Sequence, residues 1–109
     1  GAKLVIFTLN VIPDFINNFI KENKIQKKKI KFFLLHQASK FVCEKIRQKL
    51  NFDKKYFLNN YNKFGNTVSS SIPLLLQEAM NRKKIKKNDI IIACGFGVGL
   101  SWGAVEIKW

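Results

Sequence analysis

Apolar residues follow two rhythms along this chain. From Ile30 to Leu35 they are nearly continuous, interrupted only by Lys31. A run this short and apolar, bounded by polar sequence, predicts a strand buried on both faces, as in a parallel sheet. Ile90-Ile91-Ile92-Ala93 predicts a second strand of the same kind. At the chain's end Val105, Ile107 and Trp109 alternate with Ala104, Glu106 and Lys108, the period-2 pattern of a half-exposed strand.

Elsewhere the spacing is helical. Val11, Ile12, Phe15, Ile16, Phe19 and Ile20 predict a helix over 13–22, with an earlier turn ahead of it. Pro13 then sits in the first turn, where a missing N–H costs least. Ala38, Phe41, Val42, Ile46 and Leu50 form the inner stripe of a helix over 38–50, with Lys40, Glu44, Arg47 and Gln48 outside. Ile72, Leu75, Leu76, Ala79 and Met80 predict a third helix, with Pro73 near its start and the turn signal Gly65-Asn66-Thr67 before it. Leu4 to Phe7 is a short apolar run, and 52–63 reads as a loop with a short strand near Tyr56-Phe57-Leu58. The connections at 23–29 and 83–88 are rich in lysine. Strands alternating with helices, then a closing strand pair, describe an α/β layer with a mixed sheet. No linker or repeat divides the chain, so 1–109 reads as one domain.

Composition narrows the class. Hydrophobic residues make up 47% of the 109 positions, which rules out wholesale disorder. Mean hydropathy is −0.08, and no apolar run approaches the ~18 residues of a membrane-spanning helix, so no membrane partner is expected. No secretory leader is visible. Cys43 and Cys94 stand far apart, with no CxxC pair and only one histidine to accompany them. No metal site is expected, and two reduced, buried thiols suit a cytoplasmic protein. The formal net charge of +13 suggests an acidic partner. It argues less well for nucleic acid, because only Arg47 and Arg82 are arginine. Lysine supplies solvated point charge rather than bidentate recognition. The abundance of Asn, Ile, Phe and Lys also fits an AT-rich coding bias.

Three polar stations fall at the ends of predicted sheet elements: His36, Asn66 and the glycine-rich segment 95–103. Singly, each has a structural explanation: a satisfied histidine, a turn, glycines that permit close backbone approach or positive φ. Gly97-Val98-Gly99 lacks the spacing of a dinucleotide-binding turn and precedes a strand, which excludes that reading. Together they are more specific. A neutral imidazole N–H and a carboxamide NH₂ are both donors. Aimed at one point, they stabilise negative charge on a carbonyl oxygen, with backbone N–H groups from the glycine turn beside them. That apparatus suits an enolate or an oxyanion and contains no nucleophile.

His36-Gln37-Ala38, Phe64-Gly65-Asn66-Thr67 with Ser71-Ile72-Pro73, and Gly95-Phe96-Gly97-Val98-Gly99-Leu100-Ser101-Trp102-Gly103-Ala104 resemble, in order and spacing, the carboxyl-terminal half of β-ketoacyl-acyl-carrier-protein synthase III. The resemblance covers essentially the whole chain. It implies a thiolase-like fold, in which each half carries a mixed, mainly parallel five-stranded sheet with packed helices. It implies a condensing acyltransferase of fatty acid or related acyl biosynthesis. A cysteine in the amino-terminal half takes an acyl group from acyl-coenzyme A. The histidine and asparagine, here His36 and Asn66, bind the thioester carbonyl of the malonyl carrier protein and stabilise the enolate formed on decarboxylation. Val98 supplies a backbone N–H to the acyl oxyanion, with Gln37, Ser39 and Phe96 supporting the site. No cofactor is implied beyond the substrates acyl-coenzyme A and malonyl-acyl carrier protein.

Two positions depart from the family pattern. Ser39 stands where His-Gln-Ala-Asn is common, and Val98 replaces the middle glycine of Phe-Gly-Gly-Gly. Neither Cys43 nor Cys94 lies in a nucleophile motif, so the chain reads as a fragment, inactive alone and exposing apolar surface meant for the missing amino-terminal half. The expected partners are that half, acidic acyl carrier protein docked near Lys40, Arg47 and Lys49, and a second copy in the dimeric full-length enzyme. Ser39 and Val98 also fit an alternative, a non-catalytic binding or assembly module of the same fold. A basic nucleic-acid binder ranks third, on charge alone.

Overall fold

A computed structural model of the chain describes residues 2–35, 40–57, 77, 85–97 and 101–109. Their elements are α1 (Ala2–Glu22), β1 (Ile30–Leu35), α2 (Lys40–Leu50), β2 (Ile90–Gly97) and β3 (Ser101–Lys108), with 3-10 turns at Lys27–Lys29 and Lys54–Tyr56. The sheet order is β1-β2-β3, β1 and β2 running parallel and β2 and β3 antiparallel. The expected α/β, thiolase-like mixed sheet is present. Its described part has three strands where five were expected. In the stretch near Tyr56-Phe57-Leu58, Lys54–Tyr56 winds into a 3-10 turn and Phe57 makes a parallel bridge to Phe33, while Leu58 lies outside the described residues.

β1 occupies the predicted residues and is buried on both faces. Ile30, Phe33 and Leu35 join Ile90, Ile92 and Cys94 of β2 in the core under the helices. Phe32, Leu34, Ile91 and Ala93 face the other way, with Ile85 and Ile107 against them. Strict alternation would put Ile30 with Phe32 and Leu34. A register irregularity between Ile30 and Phe32 moves it to the helical side, and Lys31 falls at that break.

The helices supply the rest of the main core. Ile12, Ile16 and Ile20 of α1 and Val42, Cys43, Ile46 and Leu50 of α2 are buried against the sheet. α1 is longer than the predicted 13–22. The run Leu4 to Phe7 continues the same helix, with Val5 and Leu9 packing on the core four residues apart. Pro13 is consequently interior rather than in the first turn. α1 closes with Lys24 in the left-handed region at φ 53. Its N–H reaches Lys21 O at 3.1 Å, and the Ile25 N–H reaches Ile20 O at 3.0 Å. This is a Schellman closure, sealed by Ile20 and Ile25 in the core.

β2 outruns its predicted end. Gly95, Phe96 and Gly97 pair with Gly103, Trp102 and Ser101, so the front of the glycine-rich segment is strand rather than link. Gly103 has open space where a Cβ would stand and no positive φ, so neither reason expected for a glycine applies there. The predicted third helix lies outside the described residues apart from Gln77, which is helical.

Candidate functional site

The parallel pairing of β1 and β2 defines the site's rim. Leu35, the last residue of β1, pairs with Cys94, and β2 continues to Gly97. Parallel strands deliver their carboxyl ends to the same edge of a sheet, where open α/β folds place ligands. In sequence, His36 follows Leu35 directly and Val98 follows Gly97. His36, Gln37, Ser39, Asn66 and Val98 themselves lie outside the described residues. Phe96 is described as backbone in β2, paired with Trp102. Trp102 in turn packs against α1, its ring 5.8 Å from Phe7 and 6.5 Å from Phe15. The antiparallel end of the sheet is thereby fixed to the helical layer beside the rim.

Both cysteines are buried, and neither is in a disulfide. Burial pushes the Cys94 thiol up from 9.0 to about 12, the reverse of the depressed value a nucleophilic thiolate needs. Cys43 is part of the core beneath α2. Among the described residues, no group of three or more His, Cys, Asp and Glu side chains is placed to hold a metal ion. No helix among them is long and apolar enough to cross a membrane.

The three basic residues singled out on α2 differ in their freedom. Arg47 donates through Nε and Nη2 to Glu44 Oε2 at 3.2 and 3.0 Å, and through Nη1 to the Phe52 carbonyl at 2.9 Å. Lys49 Nζ donates to the Leu9 carbonyl at 3.0 Å. Both therefore brace the fold. Lys40 is exposed at the start of α2, followed by Phe41, which is 58% exposed with the Lys45 ammonium 5.8 Å from its ring. The Glu44–Arg47 pair at i,i+3 is legible on a helical wheel, but the bonds of Arg47 to the Phe52 carbonyl and of Lys49 to the Leu9 carbonyl are not, because those acceptors are main-chain groups of other segments. One signal was available for Lys49: Pro13 leaves the carbonyl of residue 9 unmatched.

Comparison with known proteins matches this architecture. Residues 20–109 fit the family model described as 3-oxoacyl-[acyl-carrier-protein (ACP)] synthase III C terminal. The chain is 41% identical over 109 residues to the beta-ketoacyl-[acyl-carrier-protein] synthase III of Prochlorococcus marinus (strain MIT 9515), covering all of this chain and 32% of that protein. It is 38% identical to the corresponding protein of Trichormus variabilis, covering 33% of it. The solved 3-oxoacyl-[acyl-carrier-protein] synthase III of Aquifex aeolicus VF5 superposes with a TM-score of 0.93 at 28% identity, over 100% of this chain and 35% of that one. The enzyme of Thermus thermophilus gives 0.93 at 28%, over 100% and 34%. The chain thus spans about a third of the length of the relatives it matches. With a matching family model over residues 20–109 and relatives aligned over the whole chain, the chain belongs to the 3-oxoacyl-[acyl-carrier-protein] synthase III family, as its carboxyl-terminal part.

Proposed function

We propose that this chain is the carboxyl-terminal catalytic part of a condensing enzyme that joins an acyl group to a malonyl unit on acyl carrier protein. Its substrates are acyl-coenzyme A and malonyl-acyl carrier protein, in fatty acid or related acyl biosynthesis. His36 and Asn66 donate hydrogen bonds to the malonyl thioester oxygen. As the C–CO₂ bond breaks, its electron pair passes into the enolate that these donors stabilise. The carbanion then attacks the acyl thioester on a cysteine supplied by the amino-terminal part. A new C–C bond forms, the C–S bond breaks, and the cysteine leaves as thiolate. Val98 N–H serves the acyl oxyanion, with Gln37, Ser39 and Phe96 supporting the site. No cofactor takes part.

The observation that carries this reading is the shared rim: β1 and β2 run parallel and end immediately before His36 and Val98. The raised Cys94 pKa supports assigning the nucleophile to the other part of the protein. Exposed Ile6, Phe41, Trp102, Val105 and Trp109 are consistent with further packing against that part or a second copy.

The test is reconstitution with the amino-terminal part, or assay of the longer protein. Condensation is expected there and not in the isolated chain. His36→Ala should abolish malonyl decarboxylation, whereas Cys43→Ser should preserve it. Decarboxylation that survives His36→Ala would remove the assignment. A longer protein that binds carrier protein without condensing would favour the non-catalytic module instead.

A further inference from the structure

The opposite edge of the sheet carries a separate feature. Three turns lead into parallel-running backbone: Lys27–Lys29 into β1, Lys54–Tyr56 into the bridge at Phe57, and the turn at 86–89 into β2. Because Ile30 pairs with Ile90 and Phe57 bridges Phe33, all in the parallel sense, the three turns lie side by side at the amino-terminal edge. They border a half-open cleft of about 650 Å³ lined by Lys28, Lys29, Lys31, Lys54, Lys55 and Lys86. Lys31 lines the cleft from the break in register between Ile30 and Phe32.

Asp89 is the one carboxylate lining the cleft among the described residues, and its Oδ2 accepts from the Lys86 backbone N–H at 2.8 Å. Nearby Asp53 is likewise used, its Oδ1 accepting from the Lys55 backbone N–H at 2.9 Å. The only ion pair among the described residues, Arg47 with Glu44, is elsewhere. Gathering six ammonium groups around one cleft without matching carboxylates costs repulsion, which a multivalent anion would reverse. The volume lies in the usual range for small-molecule sites, roughly 300–1,000 Å³. Lysine ammonium groups act as movable point charges on phosphate, and among the described residues lining the cleft there is no arginine fork to select a planar carboxylate. Tyr56 lines the same cleft and offers a ring beside the cations.

We infer that this amino-edge cleft binds a polyphosphate anion of nucleotide size. It is distinct from the proposed catalytic rim: five residue steps along β1 separate the two edges, about 17 Å at strand rise.

The experiment is calorimetric titration of the protein with inorganic tripolyphosphate, ATP and adenosine at low and physiological salt. Tripolyphosphate and ATP should bind at one site and adenosine should not. The Lys54→Gln/Lys55→Gln variant, whose side chains are exposed, should weaken binding by about tenfold or more, while Lys21→Gln/Lys45→Gln removes equal charge away from the cleft and should change it by less than about twofold. Lys28→Gln/Lys86→Gln should repeat the first result from the other two turns. Tighter binding of ATP than of tripolyphosphate identifies a nucleotide occupant through Tyr56, and equal binding identifies inorganic polyphosphate. No binding, or equal loss in cleft and control variants, overturns the proposal.

Discussion

Lys49 Nζ on α2 donates a 3.0 Å hydrogen bond to the main-chain carbonyl of Leu9 on α1, the acceptor that an ordinary residue at position 13 would have used. Pro13 has no N–H to offer it. The lysine thus fills a gap in the helical ladder and ties the two helices together. Lys49→Met should lower stability by about 0.5–1.5 kcal/mol. In a Pro13→Ala background that cost should shrink, because an amide N–H returns to serve Leu9. A denaturant double-mutant cycle measures the difference, and equal costs in both backgrounds would show that the two features are independent.

The left-handed residue closing α1 gives a second test. Lys24 holds φ 53 with a Cβ that this region disfavours, yet both Schellman hydrogen bonds depend on that conformation. Lys24→Gly should therefore stabilise the chain by roughly 0.5–1 kcal/mol, against the usual direction of a glycine substitution. Lys24→Val should do the reverse. Thermal or chemical melts decide both.

Cys94 makes a pH prediction. Its thiol is raised from 9.0 to about 12 by burial, so the folded chain keeps its proton where the unfolded chain loses it. Between those values the folded state binds more protons, and stability must fall as pH rises. The contribution is complete below pH 9 and declines by on the order of 1 kcal/mol per pH unit above it. Cys94→Ala should flatten that limb. At pH 8 iodoacetamide should label Cys94 only on unfolding, which mass spectrometry of the native and denatured protein will report.

Much of this was legible in the residues. Ile30–Leu35 appears as strand with its predicted bounds because a run that is apolar on both faces has few other stable placements. The inner stripe of α2 is legible for the same reason, with Val42, Ile46 and Leu50 buried as spaced. The full length of α1 is not legible because proline is locally a helix breaker, whereas Lys49, 40 residues from Leu9, compensates from another helix. The glycines of β2 read locally as a link because their pairing partners lie further along the chain, and cross-strand pairing carries no local signature. The polar stations were legible as motifs, but the described residues reach only to their thresholds, Leu35 and Gly97.

Docking of carrier protein gives the last prediction, which rests on the proposed condensing activity. Of the three residues singled out on α2 for docking, Arg47 is held by Glu44 and the Phe52 carbonyl, and Lys49 by the Leu9 carbonyl. Of these three, only Lys40 stands exposed with no hydrogen bond or ion pair among the described residues, beside the outward ring of Phe41. A rim charge of this kind steers encounter more than it stabilises chemistry. In the longer protein, Lys40→Glu should raise KM for the carrier-protein substrate by roughly three- to tenfold with kcat unchanged, an effect that weakens as salt screens the surface. Arg47→Ala should act chiefly on Tm, since it removes bonds internal to the fold. Steady-state kinetics at two salt concentrations, with melting curves for both variants, separate the cases. A KM unmoved by Lys40→Glu but raised by Arg47→Ala would place the docking surface on the braced side of the helix instead.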